Sequence, residues 1–212
     1  MKKLVQPPHL MRHGEIASVP VVHRIVPAQG GSAATTELSI DIESAPIPTR
    51  RYTASVTAGR LESETVKLYF AQRKIVGDGL RSLVSVAVSF EATKWFRRSY
   101  GNLLPSLRHF VNEKSIHRPD SLAFGNEEPA QTVELTANII AVAFVGSEAC
   151  IDIYSASPFA FRAIRDGGNQ LPIEPLLRVD LTSGALLTML EDIEGFAGKI
   201  AADTDKAQTE VR

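Results

Sequence analysis

His9 and His13 stand four residues apart, with His23 downstream, a spacing that would let two imidazoles share a helix face as zinc sites require. Pro7 and Pro8 directly precede them, and no cysteine or carboxylate completes a set. Solvated histidines are the expected reading, so no metal and no cofactor is assigned. His109 and His117 lie eight apart in a basic stretch and are expected to titrate in solvent. Ser183-Gly184 follows an apolar run as a nucleophile elbow would, but the flanking glycines of that motif are absent, and a helix cap explains the pair. Gly77-Asp78-Gly79 has no helix start after it and reads as a hairpin turn rather than a phosphate loop. Glu191, Asp192 and Glu194 could gather around a divalent cation, yet near-consecutive carboxylates on a helix point to different faces, so a solvated surface is expected.

Two further groups bear on binding rather than catalysis. Lys94, Arg97, Arg98 and Arg108 are interleaved with Trp95 and Tyr100, the mixture that contacts phosphates and stacks bases, or that meets an acidic protein partner. Ser157-Pro158-Phe159-Ala160-Phe161 places two aromatic residues two apart, either as an exposed apolar lip or as strand residues folded inward. Val22 and Ile25, in an alternating segment near the start, are candidate contacts of the same kind.

Charge is distributed unevenly around a net value of −1. Residues 1–51 carry +2, residues 52–118 carry +6 and residues 119–212 carry −9. Opposite-sign surfaces attract within one molecule or between copies, and the acidic part would repel a nucleic-acid backbone. No window reaches the roughly 18 apolar residues of a membrane span, and Gln6-Pro7-Pro8 interrupts the charged start that would resemble a signal peptide. A cytoplasmic location without membrane partners is expected, with the single cysteine, Cys150, as an inert buried thiol.

The elements that must position these groups come in two passes. Residues 1–51 read as an extended arm whose alternating segments could lie on their own sheet edge or on a partner's. Residues 52–113 form a first, basic unit: a strand from Tyr52, a second with Val66, Leu68 and Phe70 facing inward, and a third with Val84, Val86 and Val88. Ser89 then caps a helix expected to break near Gly101-Asn102 because of Pro105. A linker over 114–132 leads to a second, acidic unit at 133–202, with strands at Ala137–Ala141, Ile151–Ile153 and Leu177–Leu181 and a helix capped at Thr182 or Ser183. Residues 203–212 are a polar tail expected to be disordered. Thr136 follows Thr53 by 83 positions and Thr182 follows Ser89 by 93, so the second unit carries ten extra residues, which fall around Ser157–Arg162 and beyond.

Tyr52-Thr53-Ala54-Ser55-Val56, Val66–Gln72 and Val84–Ser89, with the second set Ala137-Asn138-Ile139, Ile151–Ser155 and Arg178–Ser183, resemble small bacterial proteins known as a domain of unknown function, about one unit long. Val56-Thr57-Ala58, Glu64-Thr65 and Gln72 are similar to the SecB export-chaperone family. That resemblance implies an antiparallel sheet with helices on one side, binding of unfolded polypeptide on apolar grooves, and an oligomer.

Together these readings predict an α+β fold of two tandem strand-strand-strand-helix repeats in a pseudo-twofold, SecB-like arrangement, the units either covering each other or continuing one sheet. The expected function is a non-enzymatic scaffold, adaptor or chaperone that binds protein or unfolded polypeptide and forms a homo-oligomer or joins a complex. The alternatives are a nucleic-acid accessory protein using the basic unit, and an enzyme whose site leaves no local motif.

Overall fold

The computed structural model describes residues 10–11, 15–26, 35–63, 65–76, 79–119 and 133–198. His9, His13, Gly77, Asp78, positions 120–132 of the linker and the tail from 203 lie outside the described residues. In chain order the first strands are β1 (Leu10–Met11), β2 (Ala17–Val26), β3 (Thr35–Ile40), β4 (Ile47–Pro48) and β5 (Arg51–Thr53). A meander of β6 (Val56–Glu62), β7 (Thr65–Arg73) and β8 (Leu80–Ser89) runs into α1 (Phe90–Tyr100) and α2 (Leu103–Glu113). Then come β9 (Val133–Ala137) and a second meander of β10 (Ile139–Val145), β11 (Glu148–Ser155) and β12 (Gln170–Thr182). Helix α3 (Pro158–Arg165) is inserted between β11 and β12, and α4 (Ser183–Gly195) follows β12.

Local chemistry sets the helix boundaries. The Ser89 hydroxyl accepts from the Ala92 amide at 3.3 Å and that of Thr182 from Ala185 at 3.2 Å, each satisfying one of the orphan N–H groups of a first turn. The expected break occurs at Gly101-Asn102. Pro105 therefore sits in the first turn of α2, where a missing N–H costs nothing. Alternation places Val66, Leu68 and Phe70 in the core, but Lys67 and Tyr69 on the opposite face are also buried, so β7 is covered on both sides.

The sheets are mostly antiparallel, within an α+β fold. Strands β6-β7-β8-β9 form one sheet, β10-β11-β12-β2-β3 with β5 beside β12 form a second, and β1 and β4 make a separate parallel pair. Two parallel pairs tie the larger sheets together. Strand β5 precedes the first meander yet pairs with β12 of the second, Thr53 opposite Asp180; β9 precedes the second meander yet pairs with β8 of the first, Thr136 opposite Ala87. Each of the two larger sheets is therefore completed by a strand from the segment leading into the other.

The chain turns between sheets at Ala54-Ser55 and at Asn138. Ser55 N–H donates to Ala71 O and its hydroxyl accepts from Arg73 N–H at 2.8 Å. Asn138 N–H donates to Tyr154 O, while its side chain accepts from Ala156 N–H at 2.9 Å and donates to Ala156 O at 2.7 Å. Polar side chains thus replace the ladder bonds that a departing strand gives up. What the sequence suggests as one strand over Ala137–Ala141 is two, divided at Asn138.

One core cluster unites both meanders with α1, α2 and α4, including Phe70, Val86, Phe96, Leu107, Ile151, Val179 and Leu186. Helix α4 lies along β6: Thr57 Oγ1 donates to Ala185 O at 2.8 Å and Gly59 N–H to Asp192 at 3.0 Å. A methyl group at Gly59 would stand 3.2 Å from the Asp192 Cβ, so glycine permits this close approach. A second cluster joins Val19 and Val21 of β2 to Ala160 and Ile164 of α3 and to Leu171 and Ile173 of β12.

Candidate interaction surfaces

The alternating segment at Ala17–Val26 is long enough to serve two neighbours. Residues Ala17 to Pro20 pair with β12, whereas Val21 to Val26 pair with β3. The second half of β2 and all of β3 thus make a two-stranded ribbon that leaves the sheet. Its base is held by Val19 and Val21 beneath α3 and by a 2.8 Å hydrogen bond between His23 Nε2 and Gly168 O. Val22 and Ile25 are exposed on it, and so is Ile16 just before it. A two-stranded ribbon has too little buried surface to be rigid alone, and an outer strand offers unpaired backbone groups to another chain.

The inserted aromatic pair is helical, neither an irregular lip nor strand. Ser157 accepts from the Ala160 amide at 3.1 Å and Pro158 opens α3, a cap and first-turn proline that the sequence already displays. Helical spacing separates the two rings. Phe159 is 82% exposed, while Phe161 packs against the second core cluster. Only Phe159 is thus available as an outward contact.

The basic residues divide in a similar way. Arg97 donates to Glu194 through Nε at 3.1 Å and Nη2 at 2.9 Å, and Tyr100 donates to the same carboxylate at 2.8 Å. The Arg97 hydrogen bond holds the Glu194 carboxyl below its ordinary range. Burial, followed by the bond to Glu194, pushes the Tyr100 phenol well above its ordinary value. Arg108 and Arg118 both bind Glu191, the former at 2.9 Å. Burial pushes the Glu191 carboxyl up, but the two guanidiniums prevail and keep it low. Lys94 pairs with Glu91 one turn earlier at 3.2 Å. Arg98 has no partner among the described residues; with Lys94 and Arg97 it lines a shallow cleft of about 240 Å³, and Trp95 on the same helix is partly exposed.

The carboxylates considered for a cation are therefore committed. Glu191 and Glu194 hold arginines, and Asp192 accepts from Gly59. Among the described residues no cluster of three His, Cys, Asp or Glu has the arrangement of a metal site. Buried Ser183 donates to Gly146 O at 2.6 Å as part of the α4 entry. Cys150 is partly buried in β11; burial and then Asp152 push its thiol up, which lowers its reactivity. His109 is exposed, 3.6 Å from Glu113, and His117 is exposed in the segment after α2. No described helix is long and apolar enough to cross a membrane.

No protein-family model, curated protein or solved structure matches the chain.

Proposed function

We propose that this chain is a non-enzymatic binding protein, a scaffold, adaptor or SecB-like chaperone that takes protein or unfolded polypeptide at the β2–β3 ribbon and the neighbouring outer face of α3. The observation that carries this reading is the exposure of Val22 and Ile25 on a ribbon that departs from its sheet, with Phe159 exposed on the helix whose inner face packs on the ribbon's base. An extended client would gain backbone pairing from the free β3 edge and side-chain burial from these residues. Glu191, Asp192, Glu194 and Ser183 are each engaged in bonds that hold α4 in place.

The two meander-and-helix units are read as diverged copies of one ancestral unit, the pseudo-twofold arrangement that a SecB-like dimer would give after fusion. Supporting this, Thr53 pairs with Asp180 while Thr136 pairs with Ala87, and Thr136 lies 83 residues after Thr53 and Asp180 lies 93 after Ala87, the same offsets that align the two units in sequence. The nucleic-acid reading is weaker, since Arg97 and Arg108 are neutralised by carboxylates of α4.

Titrating a permanently unfolded, fluorescently labelled client into the full chain tests the proposal. Saturable binding that weakens about tenfold or more in Phe159→Ala and in Val22→Ser/Ile25→Ser is expected. Absence of saturable binding, or equal affinity in folded variants, overturns it.

A further inference from the structure

Helices α1 and α4 leave their meanders in the same way, yet only one has its outward face covered. Counting from the caps Ser89 and Thr182, the residues buried towards the sheets correspond: Ala92 with Ala185, Phe96 with Met189, Tyr100 with Ile193. The same count makes Lys94, Trp95 and Arg98 of α1 the counterparts of Leu187, Thr188 and Glu191 of α4. On α4 this face is occupied by α2 and the segment after it. Leu187 is fully buried, Thr188 donates to Pro119 O at 3.2 Å, and Glu191 receives Arg108 and Arg118. On α1 no described residue covers the equivalent face: Trp95 is 39% exposed, Arg98 has no partner among the described residues, and a shallow cleft runs along Lys94, Arg97 and Arg98.

We propose that the outward face of α1 is a docking surface for an acidic amphipathic helix of a partner protein, seated as α2 is seated on α4. The sign follows from the exchange of Glu191 for Arg98: where the covered helix offers a carboxylate to arginines, the open one offers a guanidinium to a carboxylate, which it can bind through two parallel hydrogen bonds. An apolar residue of the incoming helix would lie over Trp95, and its acidic residue would reach Arg98 at the edge of the cleft. Charge number decides against a nucleic acid here. Arg97 and Lys94 already have their carboxylates, leaving one unmatched cation, whereas tight nucleic-acid binding uses about six to ten phosphate contacts. The proposal rests on the reading of the chain as a binding protein, but on a surface separate from the ribbon.

Trp95 is the only tryptophan in the chain and reports directly on the event. A helical peptide of Leu, Ala and Glu, titrated into the full protein, should blue-shift and saturate the tryptophan emission, with binding weakening as salt rises. Arg98→Glu, a change at an exposed position, should keep the melting temperature and lose about tenfold or more in affinity. The same peptide with Lys for Glu should not bind. Phe159→Ala should leave the tryptophan signal unchanged even if it abolishes client binding at the ribbon, so the two surfaces fail separately. An emission insensitive to the Glu peptide, or equal binding by the Lys peptide or by single-stranded DNA, overturns the proposal. So does binding that emerges only after residues 199–212 are deleted, which would make that segment of the chain the occupant.

Discussion

Arg97 grips Glu194 with two nitrogens while Tyr100 donates to the same carboxylate, tying α1 to α4. The internal charge asymmetry of the sequence is thus met in part inside the molecule, through Arg97, Arg108 and Arg118 against Glu194 and Glu191. Such pairs are partly exposed, so each contributes modestly; their geometry fixes how the helices meet.

Acid should loosen this junction. The folded carboxyls of Glu194 and Glu191 are depressed, so the stabilisation is present at neutral pH and is lost as pH falls through and below the ordinary carboxylate range. Glu194→Gln keeps an oxygen for Tyr100 but cannot hold Arg97 as an ion pair. It should cost on the order of 1–2 kcal/mol at neutral pH and flatten the acid limb of a stability-against-pH curve. An acid limb identical to that of the wild type would remove Glu194 from this role.

Gly184 should be the least replaceable residue at the α4 entry. A Cβ there would lie 2.1 Å from the His117 carbonyl oxygen and 3.0 Å from its carbon, both backbone atoms that cannot swing aside. Gly184→Ala should destabilise by about 1–3 kcal/mol through displacement of the segment crossing α4. Thermal melts would show this as a fall of roughly 2–4 °C per kcal/mol for a chain of this size.

The contributed strands meet opposite charge in their host sheets. Buried Lys67 binds Glu134 of β9 at 2.9 Å and Glu62 at 3.3 Å, while Arg51 of β5 binds Asp180 at 2.9 Å. Lys67→Glu would put a buried carboxylate beside two half-exposed ones and should cost about 2–3 kcal/mol. Adding Glu134→Lys should recover a good part of that loss. Urea denaturation of both variants checks this, and no recovery in the double variant would mean that β9 is held by its backbone alone.

The two turning points should differ in sensitivity. Asn138→Ala deletes two hydrogen bonds with Ala156, whereas Ser55→Ala deletes one with Arg73. At roughly 0.5–1.5 kcal/mol per bond, the asparagine change should be about twice as costly. Equal effects in chemical denaturation would show that the backbone bonds at these sites dominate.

Residues whose job is local were readable in the sequence. Ser89 and Thr182 announce helix starts, Pro105 forces a break after Tyr100, and Val66, Leu68 and Phe70 declare a strand face, because caps, rings and alternation act over a few positions. Pro158 after Ser157 announces α3 in the same way, although the spacing of Phe159 and Phe161 also suits a strand. The parallel pairing of Arg51–Thr53 with β12 was not readable, since a short extended segment carries no mark of a partner more than a hundred residues away. Likewise, the basic face of α1 looks continuous in sequence, and only the position of Glu194 separates Arg97, which is engaged, from Arg98, which is free to meet a partner.

The crossing of β5 and β9 also governs how the chain can be made. On a ribosome, Arg51–Thr53 emerges long before the stretch Arg178–Asp180 that it pairs with, and β8 must await β9 for its own outer neighbour. Neither sheet can close until most of the polypeptide has been synthesised, so newly made amino-terminal strands spend that interval with open edges. Translation speed and holdase availability, rather than final stability alone, should therefore decide how much of this protein reaches its folded state in a cell.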